Sequence, residues 1–349
     1  MIDIQLLKKI SETPGAPGYE QRIRAFVMEQ VAPFVDEMYT DAMGNVITVK
    51  KGTGDKKVMI AAHLDEIGFI TKYIDDDGFV RFHTLGGFDP KTLTAQRVII
   101  HGEKDIMGVM GCKPIHLMSA EERNKGMKIT DYFIDTGMSK EEVEKYVSIG
   151  DSITRERELI QMGECVNGKS LDNRVSVYIL LEMLRELKDT EVPYDIYGVF
   201  SVQEEVGIRG AEVAAHQINP DFGFGLDVTI AFDIPGSSGH EKVTSLGKGT
   251  AIKIMDSSTI CDYRMVRFLK KTANAHNIKW QPEILTGGGT DTAGIQRKGQ
   301  NGSIAGALSI PTRHIHQSIE MSHIADIRAT IDLLTKAVLE INTYDWSFR

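Results

Sequence analysis

The chain predicts an α/β fold carrying a small β-rich insertion, and three observations support this. Helical and strand-like periods alternate at both ends of the sequence. From about Phe69 to Gly163 that alternation gives way to short strand-like pieces separated by Asp, Gly and Pro. At Tyr197–Gly210, YGVFSVQEEVGIRG, an apolar run leads straight into two adjacent carboxylates, Glu204 and Glu205. Such a run reads as a strand covered on both faces by helices. Neighbouring carboxylates at its buried end repel each other and lose hydration, at a cost of several kcal/mol each, which a bound cation would offset.

The elements follow in order. Ile4–Glu12 and Tyr19–Val31 have helical spacing, separated by the turn PGAPG. Glu37–Thr40 and Asn45–Lys50 read as a strand pair. Val58–Ala62 reads as an apolar strand ending in His63, Asp65 and Glu66. The carboxyl ends of strands are where open α/β sheets place their sites. Within the insertion, Phe69–Ile74, Phe79–His83, Gln96–His101, Ile106–Met110, Ile129–Ile134 and Asp151–Leu159 are expected strands, with one helix at Lys140–Tyr146. Then come helix Leu171–Leu187, strand Asp195–Val202, helix Ile208–Gln217 and strand Phe222–Asp227. Strand Ile252–Met255, helix Cys261–His276, strand Lys279–Leu285, helix Asp291–Gln296, strand Gly302–Ser309 and helix His323–Ile341 complete the chain.

Composition narrows the function classes. The chain has 349 residues, 42% hydrophobic, with a formal net charge of -9 and no basic tract, which argues against a nucleic-acid partner. A length of this order exceeds what one core usually fills, so two domains are expected. Cys112, Cys165 and Cys261 form no CxxC pair, so neither a disulfide framework nor a thiolate zinc site is indicated. The N-terminus has charges in every turn, unlike a signal peptide, and no stretch reaches the roughly 18 apolar residues of a membrane span. A cytoplasmic location without a membrane partner is the expectation.

Position relative to strands marks the candidate residues. His63 and Asp65 follow one apolar strand, Glu204 and Glu205 a second, Asp227 a third, and His314 and His316 the strand-turn IAGALSIPTR. Asp172 opens a helix. If those strands are parallel neighbours, the side chains converge at one sheet edge. Mixed imidazole and carboxylate donors suit zinc, cobalt or manganese. Taken singly, each residue has an ordinary reading, as a helix cap, a loop turn or a solvated pair.

The segments AAHLDEIGF, SLDNRVSVYILLEML, FSVQEEVGIRGA, GLDVT, GGGTDTAG and IPTRHIHQSIEM span nearly the whole chain. On them the sequence resembles the tetrahedral (TET) aminopeptidases, a two-metal family of glutamyl, leucyl and deblocking enzymes, some labelled endoglucanase. The resemblance implies a mixed-sheet α/β peptidase domain with helices on both faces, made of residues 1–68 and 164–349. It implies an inserted PDZ-like β-barrel dimerisation domain at 69–163. It further implies dimers, a hollow tetrahedral dodecamer and short peptide substrates.

Carried over motif by motif, His63, Asp172 and Asp227 would bind one metal, and Asp172, Glu205 and His316 the other, with Asp172 bridging. Two divalent ions (Zn, Co or Mn) per subunit would polarise the peptide carbonyl and activate a water. Glu204 would act as general base, passing the proton to the leaving amine, and Asp65 would hydrogen-bond His63 and fix its ring. Two positions depart from the family pattern. His314 replaces an aromatic residue and Gln317 a common serine. In an extended segment His314 and His316 project to the same side, so the residues alone leave the ligand open, and the motif favours His316.

Two other chemistries compete. Gly163–Ser170, GECVNGKS, matches the phosphate-loop pattern G-x-x-x-x-G-K-[ST] of nucleotide hydrolases. The Glu204–Glu205 pair also suggests a glycoside hydrolase, but such enzymes need carboxyls facing each other across a bond, about 5–9.5 Å apart. Lys253 or Arg264 would favour acidic substrates if either faces the pocket, with surface charge as the alternative.

Overall fold

The computed structural model describes residues 2–348. Strands β1 (Glu37–Thr40), β2 (Val46–Lys50) and β3 (Lys57–His63) follow helices α1 (Ile4–Glu12) and α2 (Gln21–Val31). Next come β4 (Gly68–Ile74), β5 (Val80–Leu85), β6 (Arg97–His101), β7 (Asp105–Gly111), helix α3 (Ala120–Asn124), β8 (Phe133–Asp135), helix α4 (Lys140–Val143) and β9 (Ser152–Arg155). The chain continues through β10 (Ile160–Met162), β11 (Cys165–Gly168), α5 (Leu171–Glu186), β12 (Asp195–Ser201), α6 (Arg209–Ile218) and β13 (Phe222–Ile230). It ends with β14 (Thr250–Met255), α7 (Tyr263–Ala275), β15 (Trp280–Ile284), α8 (Thr292–Lys298), β16 (Ile304–Arg313), β17 (Glu320–His323) and α9 (Ile324–Glu340).

These strands make a large mixed sheet and a closed barrel. The sheet runs β1-β2-β12-β3-β13-β16-β17-β11-β10, with β14 and β15 branching from β16. Its centre, β12-β3-β13-β16, is parallel, so four strands end on the same side. The pairing of Ser201 with His63 and of Asp227 with Ser309 sets their ends level. Alternating residues of β3 serve two layers: Val58, Ile60 and Ala62 pack with α1, α5 and α9, and Met59 and Ala61 with α6 and α8. Helix α8 lies close to β13 because β13 carries glycines. A Cβ on Gly223 would sit 2.2 Å from Ile295 Cγ2, and one on Gly225 would sit 1.9 Å from Thr292 Oγ1.

The insertion is the closed antiparallel barrel β4-β5-β8-β7-β6-β9, with its own core of Phe69, Val80, Val98, Ile100, Ile134 and Ile153 among others. Its strands run from Gly68 to Arg155, and residues 160–162 already pair with β11 in the large sheet. The strand expected at Ile129–Ile134 begins instead as a 3-10 turn, Ile129–Asp131, because Asp131 accepts the Lys128 backbone N–H, and only Phe133 onward pairs. No helix among the described residues is long and apolar enough to cross a membrane.

Candidate metal centre

Each candidate residue is delivered by the carboxyl end of a central strand or by the start of a helix. His63 ends β3, Glu204 and Glu205 follow β12, Asp227 lies within β13, and His316 follows β16. Asp172 stands in the first turn of α5, whose residues 171–184 are all buried. The His63 Nε2 lies 3.4 Å from Asp172 Oδ1 and 3.8 Å from both Asp227 Oδ1 and Glu204 Oε2. On the other side of Asp172, His316 Nε2 lies 3.3 Å from Asp172 Oδ2 and 3.3 Å from Glu205 Oε2. Two clusters result, His63-Asp172-Asp227 and Asp172-Glu205-His316, each with donor atoms within 4.8 Å of one another. They share Asp172, one oxygen to each. Glu204 belongs to neither.

Asp65 acts in an unexpected way. His63 Nδ1–H donates to the Asp65 main-chain carbonyl at 3.0 Å, whereas the Asp65 carboxylate is 3.6 Å away. That carboxylate instead accepts the backbone N–H groups of Glu204 and Glu205, both at 3.0 Å. A carbonyl can only accept, so Nδ1 carries a proton, and Nε2 is the nitrogen that faces Asp172 and Asp227. Sequence reasoning missed a matching clamp. Buried Glu320 accepts the Asp172 N–H at 2.8 Å and the His316 N–H at 3.2 Å. Its only signal in the sequence was its place in the IPTRHIHQSIEM motif.

The electrostatics are those of too many carboxylates in too little space. Burial raises the Glu204 carboxyl well above the ordinary range, with Asp227, Glu205 and Asp291 adding to the effect and His63 opposing it. Burial also raises Glu205 and Asp227, and brings Asp291 to about 7. For His316, burial lowers the imidazole pKa, but the hydrogen bonds to Asp172 and Glu205 outweigh it and carry it to about 11. The Glu205 Oε1 is buried without a hydrogen-bond partner. Two ligands at 2.0–2.1 Å around a tetrahedral ion would stand about 3.3–3.4 Å apart, close to the shortest separations here. Donor chemistry, spacing and the orphaned oxygen all fit divalent cations.

His314 and His316 are not in an extended segment. Both have left-handed backbone conformations, φ 64° and 61°, so the chain turns tightly and only the His316 ring enters a cluster. His314 lines the outer cleft.

Residues 44–333 match the family model described as M42 glutamyl aminopeptidase. The chain belongs to the M42 glutamyl aminopeptidase family. It is 36% identical to a lysyl aminopeptidase of Pyrococcus furiosus, over 97% of this chain and 97% of that protein. Among solved structures, an aminopeptidase from Desulfurococcus kamchatkensis superposes with a TM-score of 0.92 at 37% identity, covering 97% of this chain and 94% of the other. The TET1 peptidase of Pyrococcus horikoshii, which can assemble into a tetrahedron or a large octahedral shell, gives 0.87 at 33% identity, with 97% and 99% covered. The resemblance to TET aminopeptidases and the α/β fold with its β-barrel are thus correct, and the chain is a peptidase.

The phosphate-loop reading of Gly163–Ser170 fails on geometry. Cys165–Gly168 is a sheet strand paired with β10 and β17, so its amides are engaged. Lys169 Nζ is buried and holds both Glu66 carboxylate oxygens at 2.7 and 2.8 Å, and Ser170 Oγ also donates to Glu66. Burial alone would raise the Glu66 carboxyl, but Lys169 and Arg174 pull it below its ordinary value. Lys169→Met leaves that carboxylate buried without its main partner and is expected to destabilise the fold by about 3–5 kcal/mol, measurable by urea unfolding. Lys253 and Arg264 are not surface charges either. Lys253 is buried against Glu283 at 2.9 Å and Asp256 at 3.2 Å, and Arg264 is held by Asp262 away from the cleft.

Proposed function

We propose that this M42 member is a two-metal aminopeptidase cutting N-terminal residues from short peptides. The observation that carries the reading is the sharing of Asp172 between two donor clusters. His63 and Asp227 would complete one position, and Glu205 and His316 the other. Bound there, the ions (Zn, Co or Mn) would act as Lewis acids on the scissile carbonyl and the attacking water. Glu204, 3.8 Å from His63 Nε2 yet outside both clusters, takes the proton of that water and passes it to the leaving amine. Asp65 holds the backbone of Glu204 and Glu205, and the Asp65 carbonyl fixes the His63 ring.

A cleft of about 790 Å³ opens from the clusters. Ile208, Val228, Ile230, Phe232 and Leu285 line it; Lys253, the one buried lysine or arginine among its lining residues, is already paired with Asp256 and Glu283, and Arg313 with Asp233. We therefore read the substrate side chain as uncharged and apolar. By analogy with the Pyrococcus horikoshii shell, the chain would assemble through its barrel into dimers and a dodecamer. Residues 1–68 and 160–349 would form the peptidase domain of a cytoplasmic enzyme, the second segment starting before the expected residue 164 because Ile160–Met162 pairs with β11.

A panel of aminoacyl p-nitroanilides, run after chelation and after adding back each metal, tests the reading. Activity should vanish with chelator and return with metal. Leucyl or methionyl substrates should exceed glutamyl and lysyl ones by about 10-fold or more in kcat/KM. Chelator-resistant turnover would remove the metal assignment, and a glutamyl or lysyl preference the pocket assignment.

A further inference from the structure

We propose that the barrel is a working part of the second cluster, with Gly86, Gly87 and Arg155 acting as positioning residues for Glu205 and His316. The inference rests on the two-ion reading above. It comes from where the corner between β5 and β6 lies. A Cβ built on Gly87 would stand 3.2 Å from His316 Nδ1 and 3.6 Å from its Cε1. A Cβ on Gly86, whose φ is +93°, would stand 2.5 Å from Ile67 Cγ2 and 3.4 Å from Glu205 Cβ. Adjacent barrel glycines therefore lie against the two side chains that the second cluster does not share with the first.

The barrel also grips the backbone that carries His316. Arg155, buried at the end of β9, donates from Nη1 to the Gln317 carbonyl and lies over the Phe88 ring at 5.8 Å. Ser318 Oγ donates to the Thr92 carbonyl at 3.1 Å. The loop from His314 to Glu320 is thus clamped from the sheet side by Glu320 and from the barrel side by Arg155 and Thr92. His63, Asp172 and Asp227 stand on β3, α5 and β13, elements of the large sheet and its helices. A displacement of the barrel would therefore disturb His316 and Glu205 first, and affinity at the second position would depend on where the barrel sits.

Zinc titration of the metal-stripped full-length protein, followed calorimetrically, decides the matter. Wild type and Gly126→Ala, whose added Cβ meets nothing within 4 Å, should each bind two ions per chain. Gly87→Ala should bind one ion with wild-type affinity and the other about 10–100-fold more weakly. Arg155→Met should show the same selective loss, and Arg155→Lys, which restores a donor toward the Gln317 carbonyl, should recover it. This pair keeps the test decisive if Gly87→Ala does not fold. Two wild-type affinities in both Gly87→Ala and Arg155→Met would overturn the inference alone. A wild type that binds fewer than two ions would overturn the two-ion reading and this inference with it.

Discussion

Glu204→Gln is expected to retain its bound metal and to lose turnover by about 10²–10⁴-fold. The glutamine fills the same space and keeps a hydrogen-bonding tip, but it cannot accept a proton from water at neutral pH. Metal retention follows from the grouping of donors. Glu204 stands 3.8 Å from His63 Nε2 and belongs to neither three-residue cluster, whereas Glu205 Oε2 stands 3.3 Å from His316 Nε2 within one of them. The backbone of both residues stays fixed in either variant, because the Asp65 carboxylate grips their main-chain N–H groups. Glu205→Gln should therefore lose metal as well as activity. Metal content by mass spectrometry beside kcat for the two variants separates them, and equal metal loss in both would undo the division of roles.

The comparison of Glu204 with Glu205 also shows how far a sequence can be read. The central strands were legible because a parallel strand buried on both faces leaves an unbroken apolar run, and each such run ended in His, Asp or Glu. That His63, Glu205, Asp227 and His316 would meet followed once the strands were taken as parallel neighbours, which β12, β3, β13 and β16 are. What escaped are contacts made to main-chain groups. Glu320 bonds the amides of Asp172 and His316, and Asp65 those of Glu204 and Glu205. An amide is present at every residue except proline, so its partner leaves no pattern in the sequence. The projection of His314 and His316 to one side failed for a local reason, since alternation holds for extended backbone and both residues have positive φ. The pairing of Lys169 with Glu66 and of Lys253 with Glu283 was not legible because these partners lie far apart along the chain.

Asp172→Asn should have the broadest effect on metal, because it touches both clusters. The carboxylate offers Oδ1 toward His63 and Oδ2 toward His316. A carboxamide keeps the shape but presents a single acceptor oxygen, and its NH₂ has no lone pair to give a cation. One cluster is thereby reduced to two donors, and the other keeps a neutral oxygen in place of an anionic one. Glu205→Gln, in contrast, leaves His63, Asp172 and Asp227 intact. The expected order of zinc content is two ions for wild type, one for Glu205→Gln and fewer than one for Asp172→Asn, with peptidase activity of the last below detection. The Asp172 backbone N–H still reaches Glu320 in the variant, so circular dichroism and assembly mass should match wild type and exclude misfolding as the cause. Retention of two ions by folded Asp172→Asn would mean that the clusters do not depend on a shared carboxylate, and the bridging role would have to be abandoned.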